Sequence, residues 1–255
     1  MRSKTFIPAL IAIVAFGCSD SGGPEGSTVA LSFTSQAGGG AVPAAPFMAA
    51  AAPDTLLDGA NTLIITKAEL VLREIELERV SDDACDELTG DDDLCEKFVA
   101  GPILLDLPLD GNVETEFTIP VDTGTYDEIE FELHKVSSDD PEDAQFRTDH
   151  PDMVDKSVRV QGTYNGQPFT YETDLNEDQE QPISPVLEIG DGVTSTNVTI
   201  IVNLDVWFRD AGGDLVNPQS GNKGGVNENM IRDNIKDSFE AFEDVDRDGD
   251  DSDEI

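Results

Sequence analysis

Between Thr62 and Val80 the chain reads TLIITKAELVLREIELERV, the longest run dense in branched apolar residues after the amino-terminal leader. Any fold must give this run backbone partners and a buried face. Ala68, Leu70 and Leu72 alternate with Lys67, Glu69 and Arg73, the period of two of a strand. Ile75 and Leu77 continue the alternation in the opposite phase, which predicts a β-bulge near Arg73-Glu74. A helical reading competes, because Ala68, Val71, Leu72 and Ile75 also fall at i, i+3, i+4 and i+7. The β-branched opening Leu63-Ile64-Ile65-Thr66 suits a strand better than a helix start. The run is therefore expected to be the central strand of the fold.

The rest of the chain also reads as strands. Val29, Leu31 and Phe33 alternate in a short first strand. Residues 36–53 (QAGGGAVPAAPFMAAAAP) are low-complexity and predict a loop or linker. FVAGPILLDL (98–107) is apolar with a Gly-Pro turn inside it, and Val113, Thr115, Phe117, Ile119 and Val121 share one parity. Ile129, Phe131 and Leu133 alternate with Glu128, Glu130 and Glu132, a half-buried strand with an acidic outer face. Residues 137–155 predict an acidic loop. Val158, Val160 and Tyr164 lead into Asn165-Gly166, a type I′ turn signal, and Phe169, Tyr171 and Thr173 lead back. After a polar loop, Val198 to Phe208 predicts a long alternating strand, with Trp207 on its opposite face to cover the sheet or meet a partner. The fold class expected is mainly β: an antiparallel β-sandwich over 28–217 with one C-terminal α-helix.

Within that pattern IPVDTGTYDEIEFEL resembles a domain of uncharacterised function in bacterial surface lipoproteins, and TYNGQPFTYETDL and VTIIVNLDVWF strengthen the likeness. The resemblance covers about residues 28–217. It implies a transthyretin-like or immunoglobulin-like sandwich and carries over no catalytic residues.

The amino terminus predicts export. Arg2 and Lys4 precede an apolar stretch, Phe6 to Phe16, too short to span a bilayer. Ala15-Phe16-Gly17-Cys18 resembles the lipobox of bacterial lipoproteins, with Phe16 a departure from the usual small or aliphatic residue. Residues 1–17 are thus expected to be a lipoprotein signal peptide and Cys18 the lipidated first residue, attached to a membrane. Residues 18–27 form a tether. Ser19 after the Cys favours the outer membrane, by resemblance to enterobacterial sorting. In an exported chain Cys85 and Cys95, flanking DELTGDDDL, are expected to pair as a disulfide. Such a loop closure stabilises by about 2–4 kcal/mol. The spacing is not CxxC and no His lies nearby, which argues against a thiol metal or redox site.

The charge narrows the partners. With 54 Asp and Glu against 15 Lys and Arg, the formal net charge is −39. That excess opposes binding to nucleic acid or anionic lipid and favours solubility, bound cations or a saline habitat. Asn227 to Glu243 predicts an amphipathic helix with Ile231, Ile235, Phe239 and Phe242 on one stripe and Asn227 as its cap. Asp244-Val-Asp246-Arg-Asp248-Gly249-Asp250 then resembles the DxDxDG half of an EF-hand or dockerin calcium loop, entered from that helix. Asp at positions 1, 3 and 5 supplies hard oxygen ligands, and Gly at 6 permits the turn. Position 12, a bidentate Glu in the full motif, is Ile255, with Glu254 at 11. The candidate ligands for calcium are Asp244, Asp246, Asp248 and Asp250, within a terminal region of 227–255.

Catalytic motifs are sparse. His134 and His150 are the only histidines. His134 follows a strand and is expected to be structural, whereas His150 could join Asp149 and Asp152 around a metal. No nucleophile elbow, HExxH or phosphate-cradling Gly loop is present. The function expected is a membrane-anchored lipoprotein with a non-catalytic domain that binds a protein or glycan or supports the envelope. The alternative is a carbohydrate-active or hydrolytic accessory protein using acidic loop residues.

Overall fold

A computed structural model describes residues 27–36, 54–80, 96–99, 101–190 and 192–249. The leader, Cys18, the 37–53 segment, Cys85, Cys95 and Asp250 lie outside the described residues. The fold is mainly β, built on a curled, mixed twelve-stranded sheet.

The strands are β1 (Ser27–Gln36), β2 (Asp54–Leu57), β3 (Thr62–Arg79), β4 (Glu96–Val99), β5 (Ile103–Asp106), β6 (Glu114–Val121), β7 (Gly124–Leu133), β8 (Val158–Tyr164), β9 (Gln167–Thr173), β10 (Glu177–Ile189), β11 (Ser195–Asn203) and β12 (Phe239–Glu243). The helices are α1 (Ala144–Asp149), α2 (Leu204–Trp207) and α3 (Glu228–Lys236). The sheet runs β6-β1-β11-β12-β10-β7-β3-β8-β9, and β2, β4 and β5 also pair with β3.

The apolar run Thr62–Arg79 is one strand of 18 residues. Leu63 pairs with both Leu56 and Tyr164, Leu70 with Leu105 and Val158, Leu72 with Ile103 and Leu133, and Leu77 with Glu96 and Ile129. Both edges of β3 are therefore taken along its length. The expected bulge lies where it was placed: pairing with β7 shifts between Arg73 and Glu76, and Glu74 has φ 53°. A second shift, between Ile65 and Lys67, was not expected. The two shifts move the inward side chains from Leu63 and Ile65 to Ala68, Leu70 and Leu72, then to Ile75 and Leu77. The helix-like spacing is thus a strand that changes phase twice. Its middle is also buried on the other face, where Val71 packs with Val136, Phe146 and Met153 beneath α1.

The 137–155 segment, expected to be a loop, contains α1, so the C-terminal helix does not stand alone. Four further expectations change. First, the sheet is mixed rather than wholly antiparallel, because β1 pairs parallel with β11 from Thr28↔Ser195 to Gln36↔Asn203. Such pairing requires a crossover and cannot be closed by a hairpin. Second, the strand from Val198 ends at Asn203, whose side chain accepts from Asp205 N (3.1 Å) and starts α2. Trp207 is consequently buried in the core, donating to Ser238 Oγ at 2.7 Å. Third, the expected 227–243 helix is only Glu228–Lys236. Phe239–Glu243 is β12, antiparallel to β11 and bridged to β10 at Ile183↔Ala241. Ile231 and Ile235 do form a buried helical stripe, but burial of Phe239 and Ala241 in an open sheet slot overrides the continued period. Asn227 stands at the helix start, with its side chain donating to Ser220 Oγ rather than capping. Fourth, the polar stretch after Thr173 contains β10, paired with β7 and interrupted between Pro182 and Leu187. Its prolines and acids hid it, since Pro argues against a paired strand.

The Asn165-Gly166 hairpin forms as expected, both residues having positive φ (51° and 75°). In the same hairpin, a Cβ on Gly162 would lie 1.9 Å from Ile64 O of β3. Gly162→Ala is expected to cost about 3 kcal/mol or more, through displacement of β8 from β3. Gly166→Ala, strained in φ but in open space, should cost about 1–2 kcal/mol. Urea denaturation midpoints compare the two, and equal losses would contradict this packing.

Candidate calcium loop and acidic sheet face

β12 carries the chain directly into Asp244, whose backbone N–H extends the ladder to Asn197 O at 3.0 Å. The element entering the DxDxDG loop is thus a strand and not the helix of an EF-hand. Positive φ at Arg247 (61°) and Gly249 (85°) turns the loop back. Carboxylate oxygens of Asp244, Asp246 and Asp248 lie within 4.8 Å of one another, and among the described residues they form the only such acidic, His or Cys group. Asp246 and Asp248 are exposed, while Asp244 is fully buried.

Burial of a carboxylate requires donors, and Asp244 has three. Asp248 N reaches Oδ1 at 3.1 Å, Gly249 N reaches Oδ2 at 3.2 Å, and Thr199 Oγ1 donates to Oδ2 at 2.7 Å. Behind Thr199 stands a relay across the sheet. Asn197 Nδ2 donates to Thr199 Oγ1 (2.8 Å), Ser32 Oγ donates to Asn197 Oδ1 (2.6 Å), and Ser32 Oγ meets Thr115 Oγ1 (2.8 Å). The ionised carboxylate only accepts, so each hydroxyl proton in the relay points towards Asp244. The sequence displays the Asp spacing; Ser32, Asn197 and Thr199 lie far from it and carry no motif.

The other sequence candidates separate. His134 is buried, with Nε2 2.9 Å from Asp143 Oδ1 and Nδ1 3.6 Å from Glu132 Oε2. Burial alone would lower its pKa, but the carboxylates of Glu132 and Asp143 beside its ring outweigh this and raise it. It ties β7 to the segment carrying α1. His150 stacks on Phe146 at 4.7 Å, Asp149 accepts from Gln145, and Asp152 pairs with Arg159. These three do not converge on a centre.

The acidic face expected on β7 extends onto the strands beside it. Across β3, β7 and β10, Glu78 lies opposite Glu128, Glu76 opposite Glu130, Glu130 opposite Glu180, and Glu132 opposite Asp178. Like charges directly opposed on a sheet destabilise it. Burial, the hydrogen bond that protonated Glu130 donates to Glu78 and the charges of Glu78, Asp178 and Glu180 push Glu130 up to about 7. Burial, then Glu78, Glu180 and Asp127, also raises Glu128. The alternation of Glu128, Glu130 and Glu132 marked one acidic strand face, but only pairing reveals its acidic neighbours. Elsewhere, burial and then the charge of Asp110 push Asp54 up to about 6.

No family model, curated protein or solved structure matches this chain. Among the described residues, no helix is long and apolar enough to cross a membrane.

Two predictions follow from these geometries. A carboxyl raised in the folded state binds its proton more tightly there, so its contribution to stability falls as pH rises from about 4.5 to 7. Glu130→Gln is therefore expected to stabilise above pH 7 by about 1 kcal/mol after solvent screening, with the gain vanishing near pH 4.5. Urea titrations at the two pH values test this, and a pH-independent difference would refute it. Thr199→Val removes the donor to a buried carboxylate and should cost about 1–3 kcal/mol. Thermal or urea unfolding measures that loss.

Proposed function

We propose that this chain is an exported lipoprotein, anchored through Cys18, whose β-domain is a non-catalytic binding or structural module of the cell envelope. Calcium in the terminal loop stabilises it, and its partner is a protein or glycan rather than nucleic acid. The observation that carries the calcium part is the convergence of Asp244, Asp246 and Asp248 oxygens within 4.8 Å on a loop rooted in the sheet. Asp250 would add a fourth oxygen, and the loop would act as a clamp on β12, unlike the hinge of a sensor EF-hand. The strand groups containing β1, β6 and β11 and containing β3, β7 and β8 share one apolar cluster, which supports reading the curled sheet as a sandwich of the lipoprotein type. The leader and Cys18 support export and attachment, with the outer membrane as destination, and export supports the Cys85–Cys95 disulfide. Enclosure of His134 by Asp143 and Glu132 supports a structural role for it.

The hydrolytic reading draws on one feature, the raised carboxyl of Asp54, which could serve as a general acid. Turnover of a glycan that Asp54→Asn abolishes would favour it over the binding module.

Calorimetry of the protein with calcium tests the main reading. At about 100 times the dissociation constant, calcium is expected to stabilise the fold by about 2.7 kcal/mol. Asp244→Ala/Asp248→Ala should show neither the binding heat nor the stabilisation. Negligible heat in both proteins would remove the calcium clamp.

A further inference from the structure

The segment between β7 and β8, residues 137–157, folds as a small lobe over the face of β3 that Val71 occupies. Its core is four residues, Val71, Val136, Phe146 and Met153, with Leu104 packed against them, and it is separate from the main apolar cluster. A unit with so few buried apolar contacts opens at lower cost than the rest of a fold. The lobe is braced internally, because Arg147 Nη1 donates to both Ser137 O and Asp140 O at 2.6 Å. Two backbone bonds hold its base: Asp155 N to Val136 O (2.9 Å) and Val136 N to Lys156 O (3.1 Å). Its other ionic ties to the sheet are peripheral. Asp152, paired with Arg159, is 57% exposed, and Glu142 reaches Arg73 only at 3.9 Å.

Against that background the contact between Asp143 and His134 stands out. Asp143 is fully buried. Its Oδ2 accepts from Ser137 N at 2.6 Å, and its Oδ1 lies 2.9 Å from His134 Nε2. Among the described residues His134 is its only ion-pair partner. The other ring nitrogen, Nδ1, is buried, makes no hydrogen bond and lies 3.6 Å from Glu132 Oε2. The charged groups facing the ring are thus Glu132 from β7, Arg73 from β3 and Asp143 from the lobe. Glu74 and Glu142 stand behind them, beside the Arg73 guanidinium. Two carboxylates against one guanidinium leave the enclosure one positive charge short. An imidazolium supplies it, with an N–H on each side of the ring. A neutral ring has a single N–H. Kept on Nε2, it leaves the Nδ1 lone pair facing Glu132; moved to Nδ1, it leaves Asp143 without its donor.

We propose that His134 is a pH latch: as an imidazolium it clamps the 137–157 lobe to β7 through Asp143, and its deprotonation releases the lobe and uncovers Val71 and Leu104. Burial lowers the pKa of the ring, but Glu132 and Asp143 outweigh it and hold it above the ordinary histidine value. The latch energy is therefore fully present below about pH 6.5 and is lost as pH rises through the higher, folded value. The backbone bonds at the base keep the release local, so the lobe swings while the sheet stays paired.

The test is amide hydrogen exchange of the full chain between about pH 5.5 and 8.5, with the intrinsic exchange rate divided out. The Arg147 and His150 amides, bonded to Asp143 O and Phe146 O, report on the lobe, and Leu107, in the main core, reports on the sheet. The opening constants of the first two should rise roughly tenfold relative to that of Leu107, the loss of one charge-assisted hydrogen bond. Ring-nitrogen NMR shifts should show His134 losing its proton over the same range. His134→Gln keeps a donor for Asp143 without the charge, and its lobe should open readily at every pH. His150→Gln should behave as the wild type. A ring neutral throughout, a wild-type opening constant flat with pH, a pH dependence that survives His134→Gln, or one that disappears with His150→Gln overturns the proposal. The first two outcomes are read on the wild-type protein, so the proposal stays testable where a variant fails to fold.

Discussion

Backbone pairing along β3 is the constraint on which the other elements depend. An 18-residue strand spans about 60 Å. Every N–H and C=O along it must be satisfied, because an unpaired buried backbone group is costly. One neighbour of ordinary length cannot do this. β7 and β8 divide one share of the pairing, and β2, β5 and β4 take successive parts of the other. The two bulges let a single strand turn its apolar face with the curl of the sheet. The same strand also sets the electrostatics of its surroundings. Glu69 is buried at its middle and held by Lys67 and Arg159, and Arg73 neutralises Glu132. Scarce cations are thus committed where a carboxylate must lose water.

Where cations are lacking, the chain uses other means. Asp244 is buried with no ion pair among the described residues, and it accepts from two backbone N–H groups and a directional hydroxyl–amide relay. A carboxylate held this way has its orientation fixed by the protein's own donors. The face of β3, β7 and β10 shows the opposite case. Its carboxylates oppose one another directly, and Glu130 responds by holding its proton up to about pH 7. Asp174 is a third case, a single carboxylate shared by Lys135, Lys223 and Arg232.

The terminal region separates residue chemistry from context. The DxDxDG spacing is legible because it belongs to residues adjacent in the chain, whatever element precedes them. The preceding element was misread because Ile231, Ile235, Phe239 and Phe242 satisfy a helical period, while the vacancy between β10 and β11 that claims Phe239–Glu243 is formed by distant residues. β10 was missed for the complementary reason: its own residues argue against a strand, and only β7 makes it one.

By itself the sequence determined what depends on neighbours along the chain. The strand at Thr62–Arg79 with its bulge at Glu74, the Asn165-Gly166 hairpin and the Asp spacing of the terminal loop all follow from local φ/ψ preference and a period of two. Tertiary structure alone decided what depends on neighbours across the sheet: the parallel β1–β11 pair, β12, the Ser32–Asn197–Thr199 relay, the opposed glutamates and the lysines around Asp174. The physical reason is that a period of two records which face a side chain occupies but not which strand lies beside it, and pairing sets the energies of buried charge.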